Sequence, residues 1–157
     1  MTAPPTPSSP PALSPDKLLA LAAFGETVAA YRYLVLSERA AGEADRRLFA
    51  EMADEEQGHK QKLQKILAER YPDADFLLTA EDKELVITGP RLLDVHREVS
   101  FAEALAMMLQ TERKVAEFYA RHCDSIANPE LQTIFRQLAN ESAEHHHRLQ
   151  ELAGEGP

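Results

Sequence analysis

Apolar residues return every three to four positions along most of the chain, the period of a helix with one buried face. The stripe Leu19, Ala22, Glu26, Ala29, Tyr33 and Leu36 predicts a first helix opening at Ser14-Pro15-Asp16. There Ser14 is the N-cap and Pro15 the first helical residue, and the helix runs to about Ala41 before Gly42. Phe49, Met52, Glu56, His59, Leu63 and Ile66 mark a second, from about Glu43 to Arg70, ended by Tyr71-Pro72. A third carries Leu105, Met108, Glu112, Val115 and Tyr119; it opens on the capping-box pattern Ser100 to Glu103 and runs to about Ala127. The fourth carries Phe135, Leu138, Ser142, His145, Leu149 and Leu152, from the cap Asn128-Pro129 to about Ala153. Strand-like alternation is confined to Glu84-Leu85-Val86-Ile87-Thr88. Each helix is ~38 Å long at 1.5 Å per residue and needs neighbours to cover its stripe.

The connections set the topology. One or two residues separate the helices of each half, which makes two antiparallel hairpins. The link from 71 to 99 is long enough to cross the bundle. The expected fold is all-α: a four-helix bundle of two antiparallel hairpins joined by one long crossover, the ferritin-like arrangement. Residues 16–157 hold this domain. Residues 1–15 carry six of the ten prolines and no charge, and they lack the basic and apolar regions of a signal peptide. They read as a disordered, polyproline-like tail.

The halves repeat. A shift of 86 positions lays Glu26 on Glu112, Tyr33 on Tyr119, Phe49 on Phe135, Glu55 on Glu141, His59 on His145 and Leu63 on Leu149. A duplicated hairpin packs about a pseudo-twofold axis, so mid-stripe residues of one half meet their counterparts near the bundle centre.

Those mid-stripe residues are polar. Glu26, Glu56 with His59, Glu112, and Ser142 with His145 interrupt four otherwise apolar stripes, and no Lys or Arg is expected at an inward position near them. Buried carboxylates without counter-charge repel and cost several kcal/mol. A metal cation is the natural counter-ion, because Glu-x-x-His sets carboxylate and imidazole one turn apart on one face. Mixed carboxylate and imidazole ligation suits iron or manganese. The bland alternative is a buried network of protonated Glu and neutral His. Tyr33 and Tyr119, two turns beyond Glu26 and Glu112, are either hydrogen-bond donors to these carboxylates or plain core aromatics. Of His145-His146-His147 only the first shares the inward stripe. Gly58 inside the second helix suggests a close neighbour or a bulge beside His59.

Composition removes several classes. A net charge of −9 disfavours nucleic acid and anionic membranes. No uncharged apolar run approaches the roughly 18–20 residues of a bilayer span. The single cysteine, Cys123, excludes an internal disulfide and any multi-cysteine metal site. The expectation is a soluble, cytoplasmic protein. Val28, Tyr31 and Leu34 offer an outward patch on the first helix, from which a homodimer is expected.

Phe24-Gly25-Glu26, Arg32-Tyr33, Gly42, Met52-Ala53-Asp54-Glu55-Glu56 and His59 resemble the first hairpin of the rubrerythrin branch of the ferritin-like superfamily. Glu112, Phe118-Tyr119, Leu138-Ala139 and His145 resemble the second, so the likeness spans about residues 16–153. The resemblance implies a carboxylate-bridged di-iron centre, two irons per chain, reacting with dioxygen or peroxide as an oxidase, ferroxidase or weak peroxidase. It assigns Glu26, Glu56, His59, Glu112 and His145 to ligand positions, with the three glutamates carrying the catalysis.

Three departures bear on it. The second Glu-x-x-His reads Ser142-Ala143-Glu144-His145, so a sixth ligand is missing, and the loss is expected at the second metal position. Glu141 is the candidate substitute, although Glu55 holds the same place in the other repeat. Val115 stands where relatives carry a further carboxylate, which weakens the case for peroxidase turnover. With no Cys-x-x-Cys pair, electrons come from an external donor or from the iron itself. Ser142 also favours an alternative class: a bundle with a degenerate or empty site, acting as a structural or interaction module.

Overall fold

The computed structural model describes residues 13–75, 77–87 and 100–154. Four long helices form the domain: α1 (Pro15–Arg39), α2 (Glu43–Arg70), α4 (Phe101–Cys123) and α5 (Pro129–Leu152), with a short α3 (Ala80–Lys83) in the crossover. No strand occurs among the described residues. The predicted starts coincide with the observed ones because the caps are local chemistry. Ser100 Oγ accepts from Glu103 N–H, and Asn128 Oδ1 accepts from Glu130 and Leu131 N–H.

Two ends fall short of expectation. α1 stops at Arg39, where Arg46 Nε donates to the Ala40 carbonyl and fixes the hairpin turn. α4 stops at Cys123 rather than Ala127, because Ser125 and Ile126 N–H turn back onto His122 and Cys123. The hairpin loops are correspondingly longer than the one or two residues expected. The strand-like segment is also corrected. Thr79 and Asp82 form a reciprocal capping box, and Leu85, Val86 and Ile87 N–H bond to Asp82 and Lys83 carbonyls, so the chain coils here. Thr88, His96 and residues 1–12 of the Pro-rich tail lie outside the described residues. Of the tail, Leu13 packs on the core and Pro15 is already helical.

Helix α1 lies against α2, α4 and α3, and α4 against α5. Across the α1–α4 seam Tyr33 meets Glu112 while Glu26 meets Tyr119, so these helices are antiparallel. Across α2–α5, Glu55 meets His145, His59 meets Glu141 and Arg70 meets Glu130, again in opposite order. α2 and α4 are therefore parallel, as one bundle-length crossover requires.

The core splits into two apolar clusters. One holds Leu19, Leu63, Val115, Tyr119 and Phe135, the other Tyr33, Phe49, Met52, Met108 and Leu149. The polar mid-stripe residues lie between them. The stripes are buried as predicted except at His59 and Ile66, which are half-buried, and Leu152, which is exposed in the last turn of α5. α1 is buried on nearly every side, including Val28 at 3% exposure, which removes that residue from the supposed outward patch and leaves Leu34 exposed. α1 is long and apolar enough to span a bilayer by composition, yet 72% of that window is buried in this bundle.

Two glycines differ in what surrounds them. A Cβ on Gly25 would stand 3.1 Å from Val86 Cβ, so the missing side chain seats the crossover against α1 one residue before Glu26. Around Gly58 nothing lies within 4 Å, which corrects the expectation of a close neighbour or bulge. Gly58→Ala is therefore expected to stabilise the protein by about 1 kcal/mol, the helix-propensity difference, read as a higher urea midpoint at unchanged m.

Candidate metal centre

Five side chains from four helices converge between the two apolar clusters: Glu26 on α1, Glu56 and His59 on α2, Glu112 on α4 and His145 on α5. The three carboxylates and His145 are at most 4% exposed. One ligand atom from each of Glu26, Glu56 and His59 falls within 4.8 Å of the others, and the same holds for Glu56, Glu112 and His145. The groups share Glu56. His145 Nδ1 lies 2.8 Å from Glu56 Oε1 and 3.4 Å from Glu112 Oε1. His59 Nδ1 lies 3.6 Å from Glu26 Oε2 and 3.9 Å from Glu56 Oε2. Both imidazoles thus turn Nδ1 inward.

The supporting bonds all cross between repeats. Tyr33 Oη donates to Glu112 Oε1 at 2.5 Å, and Tyr119 Oη donates to Glu26 Oε1 at 2.6 Å. Burial and the adjacent carboxylates hold both phenols well above their usual range, so each stays a donor. Outside the centre, His145 Nε2 meets Glu55 Oε2 at 2.8 Å and His59 Nε2 meets Glu141 Oε2 at 2.6 Å. Glu141 therefore stands outside both groups, on the far side of His59. A recess of about 40 Å³ lined by His59, Lys62, Gln137 and Glu141 opens beside this pair.

Electrostatics divides the carboxylates. Burial and the charge of Glu56 push Glu26 up to about 8, and burial likewise raises Glu112. Burial opposes ionising Glu56 too, but Glu26 and both imidazoles outweigh it and bring its pKa below the usual value. Burial disfavours charging the histidines, yet their carboxylate neighbours raise His59 to about 10 and His145 to about 11. Without metal, the expected cluster of bare negative charges is therefore replaced by two imidazolium ions around Glu56. Neutral His, the bland alternative from sequence, is not what this geometry favours.

The donor set fits a metal. Glu26 Oε2 is buried without a hydrogen-bond partner, and His145 Nδ1 meets Glu56 Oε1 at 2.8 Å as an ion pair without hydrogen-bond geometry; both face the space that the carboxylates enclose. Buried polar atoms are seldom left so unless something else binds there. Hard carboxylate oxygens with one imidazole per group suit iron or manganese.

Ser142 is 6% exposed and stands by the repeat where Glu56 stands. Each group nonetheless has one glutamate of its own, one histidine and the shared Glu56. What Ser142 removes is a second shared carboxylate. By the repeat, that loss falls at the place Glu56 holds in the other half. Val115 is buried among apolar side chains. His147 pairs with Glu151 and Glu144 with Arg148 on the exposed face of α5.

Sequence reasoning missed the buried Arg32, whose Nη1 donates to Thr111 Oγ1 at 2.6 Å across the α1–α4 seam. Burial lowers its pKa to about 10. Its available signal was position: Arg32 precedes Tyr33 as Thr111 precedes Glu112, so the two pairs form adjacent rungs.

Fold and site together define a helical bundle with a carboxylate–histidine centre built from two like hairpins. The chain belongs to the Rubrerythrin family, whose profile matches residues 17–153. Among solved structures it is similar to a hypothetical protein from Pyrococcus furiosus, at 25% identity and a TM-score of 0.76 over 90% of this chain and 89% of that one. No curated protein matches it.

Proposed function

We propose that this protein holds a dinuclear iron centre with Glu56 shared between the metals, and oxidises Fe(II) with dioxygen or peroxide in ferroxidase, oxidase or weak peroxidase fashion. The observation that carries this is the pair of three-residue groups meeting at Glu56 between the apolar clusters, with Glu26 Oε2 buried there without a hydrogen-bond partner. Bound iron would supply the one-electron steps between Fe(II) and Fe(III). Glu26 and His59 would hold one position, Glu112 and His145 the other. Tyr33 and Tyr119 donate to one oxygen each of Glu112 and Glu26, and at Glu26 this leaves Oε2, which faces His59, to bind a metal. The two apolar clusters exclude bulk water from the space between. Reducing equivalents come from an external donor or from the iron being oxidised.

Ser142 favours a second reading, a site that binds one ion or none and serves architecture. Anaerobic Fe(II) titration followed by admission of oxygen separates the two. About two irons per chain and oxygen-dependent oxidation are expected. Ser142→Glu, by restoring a second shared carboxylate against two divalent ions, should tighten both positions and accelerate oxidation. Absence of iron after reconstitution would reject the metal reading. A variant no tighter than the parent would reject the role given to Ser142.

A further inference from the structure

Two half-exposed glutamates outside the ligand groups make the same contact in both halves. Glu55 Oε2 meets His145 Nε2 at 2.8 Å, and Glu141 Oε2 meets His59 Nε2 at 2.6 Å. The side chains of Glu55 and Glu141 are 49% and 48% exposed, whereas those of His145 and His59 are 5% and 20% exposed. Each contact thus joins the surface to a ring that reaches the centre, and each runs between hairpins: α2 holds the ring of α5, and α5 holds the ring of α2.

We propose that Glu55 and Glu141 are positioning residues, each accepting the Nε2–H of the opposite hairpin's histidine and so keeping its Nδ1 aimed at the carboxylates. The proposal rests on the metal reading of the site. An imidazole that ligates through Nδ1 must carry its proton on Nε2, and a carboxylate outside the ring rewards that form and that orientation alone. Rotating either ring by 180° would turn Nδ1 to the surface and break both the outer contact and the approach to Glu56.

An ordinary surface ion pair is a poor description. One partner in each pair is mostly buried, and both pairs recur at the repeat spacing of 86 although the next residue is Glu56 in one half and Ser142 in the other. The arrangement therefore does not depend on the shared carboxylate. On this proposal Glu141 does not replace the missing ligand, because its carboxylate is engaged on the outer nitrogen of His59.

The test uses the full chain, with cobalt(II) as a spectroscopic probe, and compares Glu55→Ala, Glu141→Ala, Glu55→Gln and Glu141→Gln with the parent. Each Ala variant is expected to weaken cobalt binding 10–100-fold, the usual scale for losing an outer partner of a ligating histidine. Glu141→Ala should alter the absorption bands of the His59 position, and Glu55→Ala those of the His145 position. The Gln variants keep an oxygen acceptor and should recover most of the affinity. In parallel, proton NMR of the metal-free protein should show a slowly exchanging Nε2–H of His145 in the parent that disappears in Glu55→Ala.

The outcomes divide cleanly. Cobalt affinities within twofold of the parent, with only the melting temperature lowered, would overturn the positioning role and leave a structural pair. A parent that binds no cobalt would reject the metal reading of the site, and the Nε2–H resonance would then decide by itself whether Glu55 orients the ring.

Discussion

Glu56→Ala should empty both metal positions, whereas Glu26→Ala or Glu112→Ala should each empty one. Glu56 is the residue common to the two three-residue groups. It is also the carboxylate whose charged form the site favours most, since Glu26 and Glu112 are pushed up while Glu56 is brought down. In the metal-free protein it is the counter-ion that His59 and His145 share. Removing one partner of a buried ion pair costs about 3–5 kcal/mol, because the remaining charge is left in low dielectric. Removing Glu26 deletes a group that is largely protonated at neutral pH, so the metal-free protein should lose little stability or gain some. Iron analysis after reconstitution, with urea denaturation of the metal-free variants, checks both halves. Retention of two irons by Glu56→Ala would contradict the shared-ligand geometry, and Glu56→Gln guards against a mere packing defect.

The second large effect is an inversion with pH. His59 and His145 are raised in the folded protein to about 10 and about 11 from 6.5. A raised pKa means the folded state holds the proton more tightly. Its stabilising contribution is complete below about 6.5 and is lost as pH climbs to 10–11. Glu26, raised to about 8, acts in the same direction between 4.5 and 8. The metal-free protein should therefore melt lower at pH 9 than at pH 6. Glu56, with its lowered value, gives the opposite contribution only on the acid side. Metal competes for the positions those protons occupy, so each position's affinity should rise about tenfold per pH unit for the imidazole proton it displaces. The gap in melting temperature between loaded and metal-free protein should widen from pH 6 to pH 8. A gap that narrows would contradict it.

The helix faces were legible because each is written in one short-range period, and the starts because Ser100 and Asn128 cap with their side chains and Pro15 fixes the first turn of α1. The mid-stripe glutamates and histidines were legible for the same reason. A period fixes which face a residue occupies, but not the axial register between helices. The crossing of Tyr33 to Glu112 and of Glu55 to His145 therefore appears only when the hairpins are docked. The segment Leu85-Val86-Ile87 misled because β-branched residues suggest a strand when read alone. Here Val86 is chosen for the gap over Gly25, and the Thr79–Asp82 box upstream decides the backbone. Arg32 was misread because an arginine on a helix is usually at the surface.

The crossed supports also set an order of events during synthesis. The first hairpin emerges from the ribosome already carrying Glu26, Glu56 and His59, a nominally complete trio. Yet Tyr119, which steadies Glu26, and Glu141, which meets His59, arrive only with the second hairpin. A nascent chain at that stage has the donors but not their fixed geometry, so any ion it captures exchanges freely with the cell. On the proposed reading, tight retention would begin when the two halves close on one another. The ligands would then act as a checkpoint, and an iron that stays bound would certify a finished fold.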